Sequence, residues 1–567
     1  MKSASARYKE PRGGVVLQDA RRPAIPYASH QTPNAFETTA SQAFSRDSNP
    51  FSDASDVPSE HILNYEMYGN LRNGAIVKFY SMECLGLLAA TYTSAFSYQC
   101  LQGVTRPLMR TQLDLTSQEN VAVQRLVELP MALSFFVGLL ADSYPIMGLR
   151  RKGYMVLGLL LNAVSVVVLA GLSAHFEAQG GKDRSQALVV LAIIMVSLAS
   201  FGCIITYICV HTRVIELSQR EPLRMRGTIQ ADYLIFRRLT SLTASTFNYL
   251  TVGSTTTPHL AFSKTMLILA SICVLPLPLI LKFWREEHYS LPMNLKVRAQ
   301  IFWKIMQQKA VWRVLMFIIM YGIFLAIKFN DPISVIRNWT TGAARDNQLV
   351  TRTIQDVMWG GTILVWRQFF MNTGWRKFFC WAPIFTVFPQ LLASILVALD
   401  VERDRYLYRT LVSISQVSDG ITALNNVVPL TEIIQEGSEG ATVGLTLSLQ
   451  RLVSIFVNTN AQGLFRGENF YSTSEVKLDS SHVRWDVLQA LFLNYVINLI
   501  ALFGLVFLPS QKLDAQRQRM YGGFTKAASS IIVIAASLLF LYSLAINVMT
   551  FVPSLSCIQL AGGSGCH

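Results

Sequence analysis

Residues 138–154 read GLLADSYPIMGLRRKGY, and the fold turns on them. An apolar block, 121–141, runs into this stretch and another, 153–175, runs out of it. Each is about the 20 residues that a helix needs to cross a hydrocarbon core. Between them stand Asp142, the turn formers Pro145 and Gly148, and the bases Arg150, Arg151 and Lys152. Such a connection reads as a tight turn between two membrane helices, with Gly138 where helices come close. An acid beside two or three bases can latch neighbouring helix ends in one conformation and release them in another. The alternative is an ordinary basic loop of the kind that orients a membrane protein.

Working outward, further apolar blocks lie at 79–101, 187–210, 227–251 and 260–283, which makes six with the two above. A basic amphipathic connector, 284–311, carries Lys296, Arg298, Lys304 and Lys309. Six more blocks follow at 312–329, 354–370, 378–399, 406–433, 440–465 and 485–508, and a thirteenth at 527–551. Two sets of six around a central basic loop predict an all-α polytopic protein of the major facilitator plan, with substrate at the midplane between halves. The expected divisions are a disordered cytoplasmic tail over 1–75, an N-terminal bundle over 76–283 and a linker over 284–311. A C-terminal bundle over 312–510 comes next, then a loop, the extra span and a short exoplasmic tail over 511–567.

Composition agrees. The 567 residues are 51% hydrophobic and 15% charged, against about 25% charged in soluble domains. Lipid offers no hydrogen-bond partners, so only helices or closed barrels span it, and the blocks lack the alternation of a barrel. The net charge of +14 does not indicate nucleic acid, because the bases cluster at the ends of apolar blocks. The eight cysteines show no metal-ligand spacing, so neither metal nor cofactor is expected. Cys84, Cys100, Cys203, Cys209, Cys273 and Cys380 read as packing residues, whereas Cys557 and Cys566 could form a disulfide in an oxidising compartment.

Loop charges set the orientation. Arg150, Arg151 and Lys152, then Arg213, Arg220, Arg224 and Arg226, then Arg376 and Lys377, then Lys512, Arg517, Arg519 and Lys526 all fall on one side. That side is cytoplasmic, together with the N-terminus, under the positive-inside rule. An opposite loop holds the sequon Asn338-Trp339-Thr340, a glycosylation acceptor suited to an exoplasmic face. The plasma membrane is expected rather than an organelle, and a monomer rather than an oligomer.

Several stretches together resemble the folate–biopterin transporter family of the major facilitator superfamily. The 138–154 turn has that family's D-x-x-P-x-x-G-x-R-R-x-x-Y form. Glu216-Leu-Ser-Gln219-Arg220-Glu221-Pro222, with Arg226-Gly227 and Gln230, is similar to its E-x-x-Q-R-E-P…R-G-x-x-Q segment. Glu439-Gly440-Ala441-Thr442 opens the eleventh span like its E-G-[AT]-T, and 80–87 is similar to the opening of its first helix. The thirteenth helix and the C-terminal tail look most similar to oomycete members. The resemblance implies secondary transport of a folate, a pterin or a related heterocyclic anion by alternating access, as a proton symporter. It also adds Glu439 to the latch of Gly138, Asp142, Arg150 and Arg151. Departures bear on coupling and specificity: Ser134 stands where members carry lysine, His211 where they carry aspartate, and Arg451 where asparagine is common.

Ionisable side chains deep in a span face a cavity or a partner. Asp419 and Arg451 sit at matching depth in the tenth and eleventh spans and are expected to face the cavity and to pair, for substrate, for coupling or as a structural bridge. Arg237 could anchor an anion, with Arg238 snorkelling or pairing with Asp232 one turn away. Arg367 is assigned to the loop cluster. Tyr98, Gln99, Trp359, Asn425 and Asn426 could hold a flat heterocycle. The remaining alternatives are a different small-metabolite cargo and a non-transporting receptor or scaffold. No HExxH, GxSxG or GxxxxGK[ST] appears, so an enzyme is not expected.

Overall fold

A computed structural model describes residues 69–72, 74–113, 117–179, 185–253, 258–286, 294–341, 348–461 and 479–550, with single positions at 465, 471, 476, 555 and 558. The regular elements among them are helices. The first pass is α1 (Leu85–Thr111). The second joins α2 (Ser117–Glu128) to α3 (Ser134–Ser143) through a 3-10 turn at Leu129–Leu133, where Pro130 lacks the N–H that an α-turn requires. Then come α4 (Lys152–Gln179), α5 (Gln186–Ser218) and α6 (Thr228–Thr251). A sixth pass is divided into α7 (Phe262–Val274) and α8 (Leu277–Phe283) at Pro276.

The connector contains α9 (Leu295–Met306). The second half runs through α10 (Lys309–Ala326), a short α11 (Asn330–Trp339) and α12 (Gln348–Val365), which ends in a π turn at Trp366–Phe370. After α13 (Trp375–Phe379) and α14 (Trp381–Ala398), the tenth pass is broken into α15 (Arg405–Ile414), α16 (Gln416–Leu424) and α17 (Val428–Ile433). The chain closes with α18 (Glu439–Asn460), α19 (Ser481–Gly504), α20 (Lys512–Tyr521) and α21 (Lys526–Met549).

Among the described residues, helices occupy the positions of all thirteen expected blocks, in the expected order. The first is displaced toward the C-terminus, ending at Thr111 rather than residue 101, with Pro107 accommodated inside it. The tenth, expected to be continuous, is in three pieces. A second correction concerns the N-terminal tail. Most of it lies outside the described residues, but Leu71 and Arg72 donate backbone N–H groups to the carbonyl of Gln219 at 3.0 and 3.1 Å, so order begins before residue 75.

Among the described residues, nine passes are long and apolar enough to cross a membrane by composition alone. The other four, α1, α6, α12 and the broken α15–α17 pass, are more polar because they look inward, as shown below. Large apolar side chains such as Val164, Phe388, Phe503 and Leu538 lie more than half exposed, which in water would be an aggregation surface but suits contact with lipid tails. The halves meet along two seams, α3 on α18 and α6 on α12. The most apolar window of α18 is 78% buried and that of α21 only 22%, so the thirteenth helix is peripheral. It lies on α18 and α10 and also touches α2.

Candidate functional site

At the basic end of the helices, the glycines of the decisive stretch bring backbones together. A Cβ on Gly138 would stand 1.9 Å from the carbonyl oxygen of Gly440, so only glycine permits this crossing of α3 and α18. The contact places Asp142, in the last turn of α3, against the start of α18. Its carboxylate accepts the N–H groups of Gly440 at 3.2 Å and Ala441 at 2.8 Å. Helix N-termini carry unpaired N–H groups and a positive dipole end, so a carboxylate from the opposite half caps α18.

Arg151 binds that carboxylate and ties three acids together. It is 1% exposed and forms ion pairs with Asp142 at 2.7 Å, Glu216 at 3.3 Å and Glu439 at 3.5 Å. Arg72 adds a second guanidinium on Glu439, with Glu436 at 3.4 Å, and the acids hold its pKa raised despite the burial that lowers it. Glu286 caps α4 by accepting the N–H groups of Arg151 and Lys152 at 2.8 and 2.9 Å. Of the expected latch, Gly138, Asp142, Arg151 and Glu439 come together; Arg150 is half-buried and does not join these acids.

A second cross-link lies beside the first. Arg226 and Glu432, both 1% exposed in their side chains, pair at 2.8 Å, and Gln516 donates to the same carboxylate at 2.6 Å. Gln219 donates to the carbonyls of Thr431 and Ile434 at 3.0 and 3.1 Å, and Gln230 donates to the hydroxyl of Thr431. Glu221 caps α6 through Gly227 and Ile229 at 2.9 and 3.0 Å. Lys512 donates to the carbonyls of Leu223 and Arg226 at 3.1 and 2.8 Å, and burial pushes its pKa down to about 8. The signal for half of these contacts was the Glu216–Gln230 segment, read above only as a likeness. Nothing local marked Arg72, Glu432 or Gln516.

Above this seal is a cavity of about 390 Å³ between the halves. Tyr98 and Gln99 of α1, Arg237 and Arg238 of α6, Trp359 of α12, and Asp419 and Asn426 of the broken pass line it. Thus each of the four less apolar passes contributes, as spans facing an aqueous space require. Tyr207 and His211 of α5 and Gln450 and Arg451 of α18 complete the wall. Breaking the tenth pass at Ser415 starts a new helix, and Asp419 lies in its first turn, exposed to the cavity.

The charges are arranged differently from expectation. Asp419 and Arg451 both line the cavity but form no ion pair with each other. The Arg451 guanidinium lies 5.7 Å over the Tyr98 ring, and Tyr98 connects through Gln102 to Glu128 at 3.2 and 3.4 Å. Arg237 stacks on Tyr207 at 3.8 Å. Arg238 pairs across the seam with Asp356 at 2.6 Å, and Asp232 pairs with Arg367 of the π turn. Two crossed bridges therefore join α6 to α12, in place of the Asp232–Arg238 pair and the loop role expected for Arg367. Among the described residues, no carboxylate is bonded to Arg237 or Arg451.

Other expectations divide. Asn426 lines the cavity, whereas Asn425 is 4% exposed and absent from its wall, the two standing in the turn that separates α16 from α17. His211 is buried on the wall, its Nε2 3.3 Å from the Asn426 carbonyl oxygen. Ser134 is buried away from the cavity and donates to the Met131 carbonyl at 2.6 Å. Asn338 is exposed in the last turn of α11. Cys84, Cys100, Cys203, Cys209 and Cys273 are free and buried, and Cys380 is free and partly exposed. Cys557 and Cys566 lie outside the described residues. Among those residues, no cluster could hold a metal ion.

Comparison with known proteins adds the following. The family model described as the BT1 family matches residues 96–520. No curated protein sequence matches the chain. Among solved structures, a D-xylose–proton symporter superposes with a TM-score of 0.52 at 15% identity, over 75% of this chain and 97% of the other. A bacterial homologue of the iron transporter ferroportin, in an outward-facing state, gives 0.50 at 14% identity, over 74% and 98%. At such identities the likeness establishes the fold alone: two six-helix bundles of the major facilitator type, with an added C-terminal helix.

Proposed function

Because the chain belongs to the BT1 family, we propose that it is a secondary active membrane transporter carrying a folate, a pterin or a related heterocyclic anion by alternating access. One observation carries this reading: two guanidiniums, Arg237 and Arg451, stand on the wall of a central cavity with no bonded carboxylate among the described residues. An anionic substrate supplies the carboxylate partner that these cations lack, through paired hydrogen bonds. Tyr98, Tyr207 and Trp359 offer flat faces to a ring, while Gln99, Asn426 and Gln450 offer amide donors and acceptors. The volume falls within the range of about 300–1,000 Å³ usual for small-molecule sites.

In this reading the N-terminus and the basic loops are cytoplasmic, Asn338 is exoplasmic and glycosylated, and the Asp142–Arg151–Glu439 cluster is the cytoplasmic gate, closed. Asp419, on the cavity wall, is the group through which transport is coupled to protons. Uptake into reconstituted vesicles, with and without a pH gradient, tests both parts. Failure to accumulate any pterin-like compound, with the protein confirmed in the membrane, would sink the substrate class; uptake indifferent to the gradient would sink the coupling. Arg237→Gln and Arg451→Gln should each weaken substrate binding about 10- to 100-fold, the worth of a charge-assisted hydrogen bond. Thermal stability without substrate should not fall.

A second reading keeps the mechanism and changes the cargo to another small anionic metabolite. Arg451 favours it, since a cation on the wall stands where the related sequences resembled above tend to have asparagine. A thermal-shift screen decides: stabilisation by a non-pterin anion, and none by folate or pterin, selects this version.

A further inference from the structure

A second cleft, of about 180 Å³, opens where the first turn of α1, the end of α5 and the end of α8 meet. It shares no lining residue with the central cavity. We propose that it binds the phosphate of a membrane-lipid headgroup, with a phosphate monoester as the recognised group.

Charge is the first support. Arg213, Arg220 and Arg285 line the cleft, with Glu83 the one acid among the described lining residues and Arg213 also paired with Glu216. The second is an orphaned donor. Trp284 lines the same cleft and is 5% exposed, yet its indole Nε1–H is buried with no acceptor among the described residues. Buried donors in native proteins usually have an acceptor; Trp312 and Trp375 carry the same orphan, but of the three only Trp284 lines this cleft, where a turn of the ring would bring its N–H to a phosphate oxygen. The third is position. Met82, Leu279 and Leu281, close in sequence to the lining residues, are 76%, 43% and 54% exposed, which is the surface that acyl chains cover. The cleft therefore sits at headgroup level, where tryptophan and arginine concentrate and where basic pockets between helices take up anionic lipids. Buried Cys84 and Leu87 close the cleft on its apolar side.

The cleft also touches the latch. Arg213 donates to Glu216 at 2.9 Å and to the Arg285 carbonyl at 3.2 Å, and Glu216 is one of the acids held by Arg151. A phosphate in the cleft thus meets an arginine already bound into the gate cluster.

The test uses the full purified chain in bilayer discs of phosphatidylcholine, with and without a monophosphorylated phosphatidylinositol. Its readouts are melting temperature and retained lipid by native mass spectrometry. The phosphorylated lipid should raise the melting temperature and co-purify. Arg285→Gln should weaken its binding about fivefold and Arg220→Gln with Arg285→Gln about 25-fold, the worth of one and two surface arginines. Trp284→Phe should weaken it with packing retained, and Lys282→Gln, at an exposed neighbouring cation outside the cleft, should leave it unchanged. If the double variant fails to fold, the exposed Arg285 alone decides. Displacement of the lipid by inorganic phosphate at equal concentration would overturn the lipid assignment in favour of a free anion. Equal loss in Lys282→Gln and Arg285→Gln, or no lipid effect at all, would overturn the site.

Discussion

Replacing Asp142 by asparagine isolates the gate from the rest of the fold. The carboxylate makes three contacts, the N–H groups of Gly440 and Ala441 at 3.2 and 2.8 Å and the Arg151 guanidinium at 2.7 Å. Asparagine keeps the shape but offers one acceptor oxygen and places an NH2 against a donor. Each bond to an ionised group is worth about 1.5–3 kcal/mol and each neutral one about 0.5–1.5 kcal/mol, so three weakened contacts cost about 3 kcal/mol. Arg151, buried at 1% exposure, keeps Glu216 and Glu439, which prevents a larger loss. The cost falls only on the state in which α3 and α18 touch, so the closed-to-open ratio should drop by about 10²-fold. Spin labels at Met147 and Tyr521, which are 90% and 71% exposed, would report the separation of the two halves in a background lacking native cysteines. Asp142→Asn should add a longer-distance population. An unchanged distribution together with a lowered melting temperature would refute the reasoning, because the cluster would then be a static brace.

Gly138→Val should abolish transport while leaving a folded protein, since its Cβ would lie 1.9 Å from the Gly440 oxygen; uptake measured beside size-exclusion behaviour checks this. Glu432→Gln leaves Arg226 buried beside a neutral amide and should destabilise by about 3–5 kcal/mol, read as a fall in melting temperature. Acid should loosen the loops joined by Asp479. Hydrogen bonds from Arg403 and Arg484 hold its pKa down at about 2. With the folded pKa below the ordinary carboxylate value, this contribution is present above about pH 4. It is lost as pH falls toward 2. Hydrogen exchange at 400–405 and 480–485 should therefore rise only below pH 4, and a rise already at neutral pH would contradict the assignment.

Much of the architecture was legible because a bilayer imposes one simple demand, about 20 apolar residues with every backbone group bonded internally. The gate was half legible. Gly138 and Asp142 were marked by their place in the turn, since a close helix crossing and a cap leave residue-type signatures at helix ends, and Glu439 only by the family resemblance. The choice of Arg151 over Arg150 was not marked, because neighbouring bases in a turn look alike until the backbone aims them. Asn425 and Asn426 differ in the same way: the turn that breaks the tenth pass puts Asn426 on the wall and Asn425 in the packing. Asp232, Arg238, Asp356 and Arg367 were each visible as charges in spans, yet their partners lay in another half of the chain.

The sequence by itself determined that this is a helical membrane protein built on a run of long apolar blocks, because apolar length and residue type act locally. Only the tertiary structure decided which charges neutralise one another, that Arg72 and Glu432 belong to the seal, and that Arg237 and Arg451 stand on the cavity wall with no bonded carboxylate among the described residues. Coulomb attraction and hydrogen bonding act over a few ångströms, and those distances exist only once remote segments have packed.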